Sequence, residues 1–192
     1  MSVALHETRR RQLTDRQVEA IDLLIHATEA EVDETGYDGL SVRGVARRAG
    51  VAPATAYTYF SSKDHLLAEL LWRRVRGVGE TVVDPSGSTA DRLGAAVADL
   101  GEITSGSPAV VAACTQALLS SHGDVKALRE HIGVDIRRRL AAAAGSDRDR
   151  RIVDVLVTTY FGALLSAGMG HMAYVDVPEF VVAAARLMSS DA

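Results

Sequence analysis

The chain has 192 residues, 21 Lys and Arg against 25 Asp and Glu, a formal net charge of -4, and 47% hydrophobic residues. That length buries a real core, either in one domain or in a small domain joined to a larger one. Cys114 is the single cysteine, which excludes an internal disulfide; Met1 to Gln12 lacks an apolar stretch of signal-peptide length, and no hydrophobic run is expected to span a bilayer, so the sequence predicts a cytoplasmic protein with no membrane partner.

Arg9, Arg10, Arg11 and Arg16 make a basic arm. Thr14 and Gln17 have capping-box spacing, and Val18, Ile21, Leu24, Ile25, Thr28 and Val32 then share one face of a first helix that ends near Gly36. Acidic residues crowd that helix and its exit at Glu19, Asp22, Glu29, Glu31, Asp33, Glu34 and Asp38. Ser41 caps a second helix with Val42, Val45, Ala46 and Ala49 inward and Arg43, Arg47 and Arg48 outward. Gly50 breaks it after about two turns. Val51 plugs the core between the helices, and Pro53 opens a third helix with Thr55, Tyr57, Thr58 and Tyr59 on its outer surface.

Ser61 with Asp64 opens a fourth helix, which carries Leu66, Leu67, Leu70, Leu71 and Val75 inward and runs out before the loop Asp84-Pro85-Ser86-Gly87-Ser88. Further helical patterns cover 90–103, 108–121, 125–144 and 149–174, and Pro178 opens a last helix toward Met188. Gly106-Ser107-Pro108, His122-Gly123-Asp124 and Gly145-Ser146-Asp147 separate them. The fold class is all-α, with about nine helices and no strand.

Two short helices across a short Gly-containing turn, the second opening on small and hydroxyl residues, fit a helix N-terminus into a major groove. From Arg43 to Lys63 there are four basic residues and no acidic one, so this face is positive in a chain that is not. Residues from about Arg16 to Leu71 resemble the DNA-binding domain of the TetR family of transcriptional regulators. The family's pattern of a small or hydroxyl residue, a Tyr, a bulky polar residue, Phe and then Lys stands here as Ala52-Pro53-Ala54-Thr55-Ala56-Tyr57-Thr58-Tyr59-Phe60 and Lys63. Ala52 departs from the usual capping Ser or Thr, and Ala56 from the usual Leu or Ile, which removes a cap and thins the local core.

The resemblance implies an N-terminal arm and helix-turn-helix domain over 1–62 and an effector-binding and dimerisation domain over 63–192. It also implies a repressor that binds a palindromic double-stranded operator as a homodimer and is released by a small-molecule effector. Ser41, Arg43, Thr55, Tyr57, Tyr59 and Lys63 are the expected DNA contacts, with Tyr57, Tyr59 and Lys63 on phosphates and Arg43 and Thr55 reading bases.

In the long pattern of 149–174, Val153, Leu156, Tyr160, Leu164 and Ala167 line one face while Gly162, Ser166 and Gly170 recur on another. A helical Gly costs roughly 1 kcal/mol relative to Ala, so the small stripe points to close helix approach, either inside one subunit or at a dimer interface. The resemblance implies the second, with the last two helices forming a four-helix interface that sets two recognition helices about 34 to 36 Å apart. Val97, Val110, Cys114, Leu118, Tyr160 and Leu164 are the expected apolar cavity lining and Gln116 and Thr159 its polar handles, so the expected effector is largely hydrophobic.

Among His6, His26, His65, His122, His131 and His171 none pair at helical ligand spacing, and Cys114 reads as a small buried hydrophobe. No phosphate loop or nucleophile elbow is present, so no metal, cofactor or enzymatic activity is expected. Two other readings stay open: a constitutive DNA-binding dimer with a filled core, and a small all-helical enzyme.

Overall fold

The computed structural model describes residues 14–82, 84, 86–145 and 150–189. Those residues form nine α-helices and one 3-10 turn, with no strand among them. The first four are α1 (Asp15–Gly39), α2 (Val42–Ala49), α3 (Pro53–Tyr59) and α4 (Lys63–Gly77). The rest are α5 (Thr89–Ile103), α6 (Pro108–Ala117), α7 (Gly123–Ala144), α8 (Arg150–Gly168), the 3-10 turn Tyr174–Asp176, and α9 (Val177–Ser189). Arg9, Arg10 and Arg11 of the expected arm lie outside the described residues, as do Pro85, Ser146 and Asp147 of the expected loops.

Local chemistry sets the boundaries. Thr14 and Gln17 form the capping box at the start of α1, and Gly36, at φ 66° and ψ 179°, kinks its end. Ser62 caps α4 by accepting from the His65 N–H, whereas Ser61, the expected cap, donates to Asp124 of α7 at 2.7 Å. The 149–174 pattern divides: α8 stops at Gly168, and Gly170 takes φ 80° while His171 N–H bonds Ser166 O and Gly170 N–H bonds Ala167 O. This is the left-handed glycine of a Schellman closure, so Gly170 is a helix cap and not part of a helical small-residue stripe.

Apolar burial falls into two cores that share α4. Leu24 and Val32 of α1, Val45 and Ala46 of α2, Ala56 of α3 and Phe60 meet Leu66, Leu67 and Leu70 of α4, closed from the other side by Val110, Ala113 and Cys114 of α6. The second core joins Ala68 and Val75 of α4 to α5, α7, α8 and α9, with Leu93, Leu100, Leu128, Leu140 and Leu156 fully enclosed. Each such Leu contributes roughly 2 kcal/mol. Gly101 lets α9 close on α5, since a Cβ there would lie 2.9 Å from Pro178 Cγ.

The expectation that no run could span a bilayer is corrected: α8 has 19 residues and holds an 18-residue window of mean hydropathy 1.3, enough by length and composition. Its Val153, Leu156, Tyr160 and Ala163 are buried in the bundle.

Charge pairing explains the acidic first helix. Asp22 bonds Arg73 at 2.5 Å, Glu29 bonds Arg74 at 2.7 Å, and Glu31 and Glu34 both bond Arg48. Arg48 is exposed as expected, but it leans back on α1 to make these pairs. Arg139 of α7 is 5% exposed and was missed by sequence reasoning. It donates to the carbonyls of Val75, Val78 and Gly79 at the end of α4, and to Asp135 at 2.6 Å.

Candidate DNA interface and effector cavity

Two elements fix the helix-turn-helix. Ser41 Oγ accepts from Gly44 N–H at 3.0 Å, and Gly50 takes φ 67° so that its N–H and that of Val51 close back on α2. Ala52 makes no side-chain cap on α3, and Pro53 stands in the first turn instead. Ala56 is fully buried in a helix that packs on α1 and α2, so the small residue fits a close approach.

The outward surface carries the expected DNA residues. Ser41, Arg43 and Tyr57 are exposed, and Thr55, Tyr59 and Lys63 are half-buried. Ser41 spends one acceptor on its own helix, and Tyr59 also packs on the N-terminal core. Lys63 Nζ donates to Tyr37 O at 2.8 Å and lies 4.0 Å from the centre of the Tyr37 ring, so its ammonium is fixed at the exit of α3. Tyr37 in turn donates to Asp64 at 2.6 Å; burial, then that bond, push its phenol up to about 12. Arg43 and Arg47 have no carboxylate partner among the described residues, whereas Arg48 is paired. Arg43, Arg47 and Lys63 therefore carry the unpaired positive charge of this face, while Arg48 is spent on Glu31 and Glu34 of α1.

The second candidate site is a cavity of about 440 Å³ between α4, α6, α7 and α8 and the end of α5, with the exposed Leu119, Thr158, Gly162 and Leu165 among its lining residues. Cys114, Leu118, Tyr160 and Leu164 line it as expected from the sequence, with Leu71, Val75 and Phe161 among further apolar walls. Val97, Val110, Gln116 and Thr159 do not line it. Val97 is enclosed in the second core and Val110 in the first. Gln116 is exposed, being two residues and so about 200° around the helix from Cys114. The neighbouring Thr158 takes the place expected for Thr159, with Thr104 and Thr115 as further hydroxyls. Sequence reasoning also missed Arg74 and Arg129, both of which line the cavity.

Cys114 is 1% exposed, and burial pushes its thiol up to about 12, so it stays a neutral wall residue. Burial likewise raises the Tyr160 phenol, whose hydroxyl donates to Leu100 O at 3.3 Å. Among the described residues, no group of three or more His, Cys, Asp or Glu could hold a metal ion.

Of the three small residues of the expected dimer stripe, Gly162 is exposed, with open space where its Cβ would be, Ser166 is half-buried, and Gly170 is the cap described above. Gly162 is therefore not demanded by packing inside one subunit. Val155 at 49%, Leu165 at 41% and Phe180 at 53% exposure leave α8 and α9 with apolar outer surface.

Residues 24–70 match the model for bacterial regulatory proteins of the tetR family. A helix-turn-helix-type transcriptional regulator of Mycobacterium tuberculosis is 41% identical over 178 residues, which cover 92% of this chain and 80% of that one. The chain belongs to the TetR family of transcriptional regulators. The repressor KstR of Mycolicibacterium smegmatis is 30% identical over 123 residues, or 62% of this chain and 60% of its own. A solved TetR transcriptional regulator from Rhodococcus sp. RHA1 shares the fold with a TM-score of 0.70 at 23% identity, over 93% of this chain and 99% of that one.

Proposed function

We propose that this TetR-family regulator is a homodimeric repressor that holds a palindromic operator through α2 and α3 and is released by an effector in the cavity. The residues up to 62 then form the DNA-binding unit and 63–192 the effector and dimerisation unit, acting in the cytoplasm where operator DNA is found. The relation to KstR, named a repressor, supports the sign of the effect.

One observation carries the reading. The helix α4 bears Lys63 at its first residue, beside the DNA face, and Leu71, Arg74 and Val75 on the cavity wall. A ligand that favours one position of α4 thereby biases the recognition helices. The cavity's volume speaks against a constitutive binder with a filled core. Ser41, Arg43, Thr55, Tyr57, Tyr59 and Lys63 are the proposed DNA contacts. Val155, Gly162, Leu165, Ser166 and Phe180 are proposed to face the partner subunit.

Selection of bound duplexes from a random pool tests this. An enriched inverted repeat with half-sites about 34 to 36 Å apart, bound by paired protomers, is expected. Enrichment of a single half-site bound by a monomer would overturn the dimer.

A further inference from the structure

We propose that the effector is an amphipathic anion, whose acidic head is bound by Arg74 and Arg129 and draws Arg74 away from Glu29 of α1. This rests on the reading of the cavity as the effector site and goes further by naming the chemistry that fills it and the contact that relays it.

The cavity wall is mostly aliphatic and aromatic, yet the only side chains on it that are charged at neutral pH are Arg74 and Arg129, with no carboxylate. Arg74 directs Nη2 at 2.7 Å and Nε at 3.2 Å to a single oxygen of Glu29, while its Nη1 reaches Ser105 O only at 3.4 Å. Five N–H donors on a guanidinium leave capacity for a second acceptor on the cavity side. Arg129 uses Nη1 alone, to Leu118 O at 2.5 Å and Ser120 O at 3.1 Å, which caps the end of α6. Its Nε and Nη2 make no hydrogen bond to the described residues.

A wholly apolar ligand would remove water from these donors and give them nothing in return, which costs the desolvation of each donor left unmet. A carboxylate or phosphate head matches the guanidinium fork, and an apolar body matches the remaining wall. The ordinary reading of each arginine is structural, one as an interhelical ion pair and one as a helix cap. What goes beyond it is that both line one cavity whose wall carries no acid, Arg74 being paired only to Glu29 outside that wall.

Glu29 belongs to α1, which packs on α2, whereas Arg74 belongs to α4. Arg74 therefore has two competing acceptors, one in the DNA-binding core and one in the ligand. Occupation by an anion weakens the α1 to α4 tie, and a tie that both sites bias is what couples them.

Calorimetric titration of the full chain reads the site. The probes are sodium alkanoates from octanoate to hexadecanoate, each below its micelle concentration, and the alcohol of equal length. At least one alkanoate is expected to bind about tenfold tighter than its alcohol and to lower operator affinity. Arg74→Gln should erase that preference with alcohol affinity unchanged. Glu29→Gln should tighten alkanoate binding, since the competitor is gone, and shrink the effect on operator. Leu118→Trp, which fills the cavity, should abolish binding of both probes.

Equal binding of acid and alcohol, a preference that survives Arg74→Gln, or no binding by any alkanoate overturns the proposal. If alcohols bind and release operator as well as acids do, the effector cavity stands and only the anion assignment falls. If alkanoates bind with the acid preference but operator affinity never changes, the relay and the effector reading fall together.

Discussion

Arg48 of α2 reaches back to Glu31 of α1, Nε to Oε2 at 2.6 Å, and Glu31 is 5% exposed. The pair ties the first two helices of the DNA-binding unit together. It also explains Gly44, where a Cβ would lie 2.5 Å from Glu31 Oε1. Arg48 and Arg43 therefore divide two roles that the sequence left alike. Arg48→Ala should lower the melting temperature by stranding a buried carboxylate, and Glu31→Leu in that background should recover part of the loss. Arg43→Ala should leave the melting temperature unchanged and weaken operator binding about tenfold. Thermal melts and operator titrations of both variants check this; equal effects on stability would remove the distinction.

Lys63→Ala should weaken binding to operator and to random duplex alike, with a salt slope shallower by about one unit. It should also cost about 1 kcal/mol of stability, because the bond to Tyr37 O and the ring contact go with it. An unchanged salt slope would confine Lys63 to its structural role.

Tyr37 gives a pH signature. Its folded value of about 12 lies above the ordinary 10.0, so the native state holds the phenol proton more tightly than the unfolded chain. Its contribution to stability is fully present below pH 10 and is lost as pH rises toward 12. Tyr37→Phe should lower stability at neutral pH and flatten the alkaline loss relative to the native chain. Identical alkaline slopes in chemical denaturation would contradict this.

Arg139 is a buried cation whose truncation tests the end of α4. Arg139→Ala leaves the carbonyls of Val75, Val78 and Gly79 without the guanidinium and Asp135 with Arg138 alone, and should cost about 3 kcal/mol by chemical denaturation. A loss below about 1 kcal/mol would mean that water replaces the guanidinium.

The dimer is open to a surface test. Phe180→Glu and Val155→Glu place charge on exposed apolar positions of α9 and α8, so both should leave helicity intact while shifting sedimentation from dimer to monomer. Operator affinity should fall with the dimer. Variants that remain fully dimeric at micromolar concentration would move the interface elsewhere.

Most of the helical frame was legible because it is written locally. Ser41, Gly36 and Gly50 act within a few residues of themselves, and the apolar periodicity of α1, α5 and α7 needs no distant partner. The partners of Arg48, Arg74 and Arg129 and the carbonyl partners of Arg139 were not legible, since each of these acceptors is contributed by another element or by a carbonyl. The cavity was legible in part: Cys114 and Leu118 set the phase of α6, but the same pattern could not tell Thr158 from Thr159, one step of about 100° apart. Gly170 misled because a repeat of four continues in sequence after the helix has closed.

The central claim is that cavity and operator are linked through α4, and linkage is reciprocal. The most direct measurement is the affinity of one confirmed ligand for the full chain, by calorimetry, with and without saturating operator. The ligand should bind less tightly to the operator complex, by the same factor by which it weakens operator binding. Equal affinity in the two titrations would mean that the cavity is occupied without consequence for DNA, and would contradict the account.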